Sequence, residues 1–244
     1  VFQLADRVAA LAKSEFAPQV QLQMDMMKDA LQYKIANDFI SGNHGVDPNG
    51  FEGLVTRVTN GLAKYDINRE SGGVSVNALS SQDNARLLLD TLHLAKRYLG
   101  GKADVIFGNE TTIDGIGRVL RYLAQGNLLS QTQDNYERTW DTVMGAKLVD
   151  IGPTDFNGTS EIISNTQGTD TVGTSIFVVR MGDEEGLNMI QLEGTSPEPY
   201  DPNKGGEMSS QPAFQRRIDW PIGLKNMSRH FSVVRIRGFR AFTA

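Results

Sequence analysis

The side chains best equipped for chemistry are three histidines, a short acidic run, two glycine-bearing stretches and a row of arginines near the C-terminus. His44, His93 and His230 are scattered, without the spacing of metal ligands, and His93 falls on a helical stretch where a satisfied or surface histidine is expected. There is no Cys, so a metal site would have to rest on carboxylates, and no calcium-loop spacing is present. Asp183-Glu184-Glu185 reads as a solvated turn rather than a cation site. Gly115-Ile116-Gly117 lies inside a helical pattern, not between a strand and a helix, so it does not form a dinucleotide loop. Residues 103–107 followed by Gly108-Asn109-Glu110 and a capped helix imitate a phosphate-binding turn, but the glycines and lysine of such a turn are missing. This turn is the only foothold for a small nucleotide-binding enzyme. Neither a G-x-S-x-G elbow nor an H-E-x-x-H pair occurs. The sequons at Asn109, Asn157 and Asn226 are read as chance, because no secretory signal pattern opens the chain. No catalytic, cofactor-binding or metal-ligating residues are expected, and no cofactor.

Arg229, Arg235, Arg237 and Arg240 make the last long apolar run locally basic. In strand alternation Arg235 and Arg237 share a face with Phe231 and Val233, while Val234 and Ile236 take the other. A mixed face of this kind is expected at a subunit contact, with acidic neighbours such as Asp183, Glu184 and Glu185 on another copy. Nucleic-acid binding is the runner-up, and the net charge of −5 argues against it.

The 244 residues suffice for one large domain or two lobes. Glycine occurs 25 times, about one residue in ten against a usual ~7%, which implies many turns. No run of 18 apolar residues is present, so a soluble protein is expected. The absence of Cys suits a reducing cytoplasm. The chain opens on Val1, which fits a processed product or one lacking an N-terminal segment.

The elements that must position these residues are first helical, then extended. Leu4, Val8 and Leu11 give residues 1–14 helical spacing. A stronger helix spans 18–40, with Pro18 in its first turn and Gly42 as a left-handed cap. Its apolar arc is wide: Leu22, Met26 and Tyr33 on one side, and Met24, Met27, Leu31 and Ile35 on the next. Both flanks are expected to be covered. A short helix follows at 54–58, then a Gly72-Gly73 turn. A helix capped by Ser80 or Ser81 buries Leu88, Leu92, Ala95 and Leu99, and ends at Gly100-Gly101. Residues 103–107 read as a buried strand. Thr111 or Thr112 caps a third helix, with Asp114 in its first turn and Ile113, Ile116, Leu120 and Leu123 on one face.

After about Leu129 the pattern turns to strands, expected at 136–143, 146–151, 175–181, 187–193, 214–220 and 230–242. Residues 183–186 are expected to turn tightly between the third and fourth of these as antiparallel neighbours. Residues 195–211 make a long polar loop. The fold class is α+β.

The order of these features resembles the tailed-bacteriophage major capsid proteins of the Hong Kong 97 fold. The family's long spine helix is similar to residues 18–39. The phrase closing that helix is similar to Phe39-Ile40-Ser41-Gly42-Asn43, leading through Pro48-Asn49-Gly50-Phe51 to Gly53-Leu54. The helix 81–99, then Gly101-Lys102-Ala103-Asp104-Val105-Ile106-Phe107-Gly108-Asn109 and the helix after it, resemble the family's axial domain. Ser175-Ile176-Phe177-Val178-Val179-Arg180 and Arg217-Ile218-Asp219-Trp220-Pro221-Ile222-Gly223-Leu224 precede a long final strand, as in the family. The resemblance covers most of residues 17–242.

The resemblance implies the end of an extended loop at 1–16, a peripheral domain with the spine helix at 17–62, a mixed axial domain at 63–212 and returning C-terminal strands at 213–244. It implies a structural subunit, not an enzyme, that self-assembles as pentamers and hexamers into an icosahedral shell around phage DNA. That subunit would be made in the host cytoplasm and reside in the virion, with decoration, scaffold and portal proteins as further partners and no membrane. An encapsulin-like compartment has a similar fold and is the alternative. A non-shell oligomeric scaffold is a third possibility.

Overall fold

The computed structural model describes residues 2–5, 13–124, 128–133, 137–191, 199–200, 213–218, 220–226, 232–240 and 242. The first element is a strand, β1 (Phe2–Ala5), where apolar spacing predicts helix. Antiparallel pairing with residues 213–216 supplies hydrogen bonds that four residues cannot make alone. Helix α1 (Lys13–Ser41) contains the expected 18–40 segment without a break and is the longest helix among the described residues. It starts five residues before Pro18, which therefore sits inside the helix rather than in its opening turn. Proline keeps a helical φ there and forfeits the one bond to the Ser14 carbonyl.

Then come α2 (Leu54–Thr59), β2 (Asp66–Asn68), α3 (Gln82–Tyr98), β3 (Val105–Gly108), α4 (Glu110–Tyr122) and β4 (Leu129–Gln133). The remainder is extended: β5 (Thr139–Val143), β6 (Ala146–Asp150), β7 (Gly173–Val179), β8 (Leu187–Gln191), β9 (Pro199–Tyr200), β10 (Ala213–Ile218), β11 (Ile222–Asn226) and β12 (Val233–Arg240). The chain is mixed α+β. Strands β2, β4 and β11 were not expected from the sequence; β4 (LSQTQ) is almost wholly polar and carries no apolar alternation. The 195–211 loop falls largely outside the described residues, apart from β9.

Two compact units divide the chain, Val1–Ile35 with Ile190–Gly223, and Ala36–Met189 with Leu224–Ala244. In the first, β1, β10 and β9 form an antiparallel three-stranded sheet in that order. The second is built on a seven-stranded mixed sheet, ordered β2-β12-β7-β3-β6-β5-β4.

Strand β7 is buried along its whole length. Its alternate residues serve two cores. Ile176 and Val178 pack with α3 and α4, through Leu88, Leu92, Ile116 and Leu120. Phe177 and Val179 pack with Phe39, Ile40, Leu54 and Val58 from the end of α1 and from α2. Helices thus cover both faces at the centre of this sheet, which is why its central strand reads as one continuous apolar run.

The expected hairpin between β7 and β8 does not form. Both edges of β7 are occupied, by β12 and by β3, and β8 pairs with β11 instead. Residues 183–185 do form an exposed turn, but it diverts the chain. Leu187 N donates to Arg180 O at 2.8 Å, and Met181 meets Leu187 as an isolated parallel bridge.

Gly42 is not a left-handed cap. It does not appear among the positive-φ glycines, and its N–H bonds Asp38 O at 2.8 Å. Glycine is required there because a Cβ would overlap the carbonyl oxygens of both Asp38 and Phe51. Gly53 N donates to Gly42 O at 2.9 Å, so the two backbones lie in contact where α1 ends and α2 begins. The expectations for α3 hold: Ser81 Oγ accepts from Asn84 N at 3.2 Å, and Gly100 and Gly101 follow the last turn with positive φ.

Candidate functional site

Asn109 lies between the end of β3 and the start of α4 and is the N-cap of α4, two or three residues before the expected Thr111 or Thr112. Asn is as good a cap as Ser, and its carbonyl reaches back over the first turn. Oδ1 accepts from Thr112 N at 2.9 Å and from Thr111 Oγ1 at 3.1 Å. The first-turn acid is Glu110, not Asp114. The amide nitrogen of Asn109 donates to Ile163 O at 2.8 Å and to Asn165 Oδ1, and Asn165 Nδ2 donates to Thr111 Oγ1 at 3.1 Å. Asn109 is fully buried, so its sequon is not an accessible acceptor.

This cluster holds down a loop that leaves β6 and returns to β7. Within the loop, Pro153 bridges Glu161 in antiparallel fashion, Thr154 N donates to Ser160 O at 2.8 Å, and Ile162 N donates to Gly152 O at 3.2 Å. Glu161 lies beside the cluster, with Oε2 sealed from solvent and without a hydrogen-bond partner. Burial pushes its carboxyl above the usual range, Asp150 and Glu110 add to that, and the Asn109 amide acts in the opposite sense.

The helix end that a phosphate would need is therefore filled by Asn109 itself and surrounded by Glu110, Asp150 and Glu161. Such a site repels a phosphate and favours a proton. Among the described residues no group of three or more His, Asp or Glu is placed to hold a metal. His44 Nδ1 lies 3.3 Å from Gly50 O in an exposed loop, His93 is exposed on α3, and His230 lies outside the described residues.

Two of the arginines of β12, Arg235 and Arg237, find partners inside their own chain, where the sequence pattern suggested partners on another subunit. Arg235 Nε donates to Ser175 Oγ at 3.1 Å and its Nη2 to Gln167 Oε1 at 3.2 Å, with the guanidinium 6.0 Å from the Phe177 ring centre. Burial lowers its pKa, and Asp66 acts against that. Arg237 Nε pairs with Asp66 Oδ1 at 3.2 Å. The physical reason lies next door: β2, absent from the sequence reading, runs parallel to β12 and puts Asp66 in register with Arg235. The loop before β7 is tied down in the same region, where Ser75 N and Oγ both donate to Asp170 at 2.7 Å and hold that carboxyl below its usual range. Arg240 is exposed, and Arg229 lies outside the described residues.

The wide arc of α1 is where covering is missing. No residue from 22 to 38 is buried; Leu22 and Met26 are about three-fifths exposed, and Met24, Met27, Leu31, Tyr33 and Ile35 are half-buried. An apolar surface of that kind is a candidate contact for another molecule.

No family model matches the sequence, and no curated protein matches it. A solved structure does match in three dimensions: the holo-SrpI encapsulin complex from Synechococcus elongatus PCC 7942, at a TM-score of 0.62 and 12% identity, over 99% of this chain and 72% of that one. The chain shares that fold, in agreement with the Hong Kong 97-like fold that the sequence resemblance implies. Among the described residues no helix is long and apolar enough to cross a membrane.

Proposed function

We propose that this chain is the wall subunit of a closed protein shell, assembling with copies of itself as pentamers and hexamers. The observation that carries the reading is the likeness to an encapsulin over nearly the whole chain. The uncovered apolar arc of α1 supports it, because a shell subunit must present contacts that its own core leaves bare. In this reading the protein acts by its shape and contacts, not as a catalyst. Residues 17–62 make the peripheral domain, 63–212 the axial domain and 213–244 the returning strands.

Two readings of the contents divide the observations. A compartment enclosing cargo protein is favoured by the structural likeness, since the solved neighbour is an encapsulin. A bacteriophage capsid enclosing DNA is favoured by the ordered sequence phrases from Phe39-Ile40-Ser41-Gly42-Asn43 onward. In the second, the subunit is made in the bacterial cytoplasm and resides in the virion, with portal, scaffold or decoration proteins beside it.

Electron microscopy of the purified protein tests the shared premise, with closed shells expected. Protein that stays monomeric over a wide range of concentration and salt overturns it. Nuclease-resistant DNA inside the shells selects the capsid, and a co-purifying enzyme in their interior selects the compartment.

A further inference from the structure

The loop between β6 and β7 is docked through side chains that a proton can rearrange. It leaves at Asp150, whose Oδ1 accepts Gly152 N at 3.0 Å, and turns back around Gly158, whose N–H bonds Asp155 O at 3.2 Å. Thr154 and Ser160 are joined both by backbone and by a 2.8 Å hydroxyl contact. The returning limb then passes Glu161 and seats Ile163, which is fully buried, in the core shared with Phe107 and Phe177. Ile163 O and Asn165 close the dock on Asn109.

Glu161 is the weak point of this dock. One carboxyl oxygen is sealed from water without a partner, which is costly for a charged carboxylate and tolerable for a neutral acid. The groups whose charges act on it are Asp150 at the end of β6 and Glu110 in the first turn of α4, both acidic. A neutral Glu161 has an O–H to donate; the Asn109 amide favours the charged form instead, but burial and the two acids outweigh it.

We infer that Glu161 is a proton-operated latch: neutral, it keeps the 152–165 loop docked on the start of α4, and ionised, it loosens that docking. The direction follows from linkage. The docked state binds the proton more tightly than the undocked one, so the latch is fully closed below the ordinary carboxylate pKa. Its contribution is lost as pH rises through the elevated value. The device is independent of the shell reading, because it works within one subunit.

Amide hydrogen exchange on the full chain tests it, read as protection of 152–165 relative to α3 and corrected for the intrinsic pH dependence of exchange. Between about pH 4 and pH 8 that ratio should fall by roughly threefold or more. Glu161→Gln, neutral at every pH, should keep the low-pH ratio throughout. Asp150→Asn keeps the oxygen that caps Gly152 and removes one repelling charge, so it should reduce the loss. A carboxyl NMR titration of the unaltered protein stands apart from whether any variant folds: the Glu161 midpoint should lie above the ordinary range, with amides 152–165 titrating alongside it. A flat wild-type ratio, an unchanged pH dependence in the glutamine variant, or a midpoint at or below the ordinary value overturns the latch.

Discussion

Helix α3 buries Ala85, Leu88, Leu89, Thr91, Leu92 and Ala95 against the seven-stranded sheet, whereas residues 22–38 of α1 bury nothing completely. Both are long helices without an internal break, and both are rich in apolar side chains. In α3 those side chains fall on one stripe. In α1 they are spread around the cylinder, with almost no net direction. A stripe can be satisfied by one neighbouring layer, and a ring cannot. The lesson is that continuity of a helix and its source of stability are separate properties. Helix α3 draws on its own chain, while α1 before Phe39 leaves much of its apolar surface exposed.

The strongest way to break this contrast is to truncate one leucine in each helix. Leu92→Ala should destabilise the free subunit by about 2–5 kcal/mol, as for other fully buried leucines. Leu22→Ala should change it by no more than about 0.5 kcal/mol. Urea unfolding of the two variants side by side measures both, and equal losses would end the comparison.

The next test compares free subunits with assembled ones. If the α1 arc is covered only on assembly, shells should melt above subunits. The gain would be about 2.7 kcal/mol when the free partner concentration is a hundred times the dissociation constant. Calorimetry on both forms should therefore give two melting temperatures, and coincident ones contradict the idea.

A smaller effect sharpens the α3 side. Ser81→Ala removes the cap on Asn84 N and should cost about 1 kcal/mol of subunit stability without altering assembly. Smaller again is Arg237→Gln. Its partner Asp66 is in the same chain and the pair is partly exposed, so about 0–1 kcal/mol should be lost from the isolated subunit itself. If Arg237→Gln left the isolated subunit unchanged and weakened only assembly, the arginine would belong with α1 as an outward-facing contact.

The site was less legible than the helices. An Asn two residues before a threonine pair, at the end of an apolar strand, is a cap signal, and Asn109 was available to sequence reasoning on that ground. Glu161 gave no signal. Its character comes from being packed near Asp150 and Glu110 and losing water, and only Asp150 is within about a dozen residues of it in sequence. Similarly, nothing in the order of residues 66–68 marks Asp66 as the partner of an arginine 171 positions later.

By itself, the sequence determined the elements whose information is local: the 18–40 helix, a cap at Ser80 or Ser81, the Gly72-Gly73 turn, and the apolar runs 103–107 and 175–181 that the structure builds into β3 and β7. Period and caps act within a few residues, so a short window contains their physics. The tertiary structure alone decided which strands meet. It put β12 and β3 against β7, leaving no edge for β8, and it set the face of Phe239. Alternation from Val233 assigns Phe239 to the arginine face, but Gly238, at a φ of +86°, puts a bulge after Arg237. The bulge turns Phe239 into the core with Val234 and Ile236. Strand pairing, bulges and desolvated carboxylates depend on groups far apart in the chain, and their energies exist only once the fold has brought those groups together.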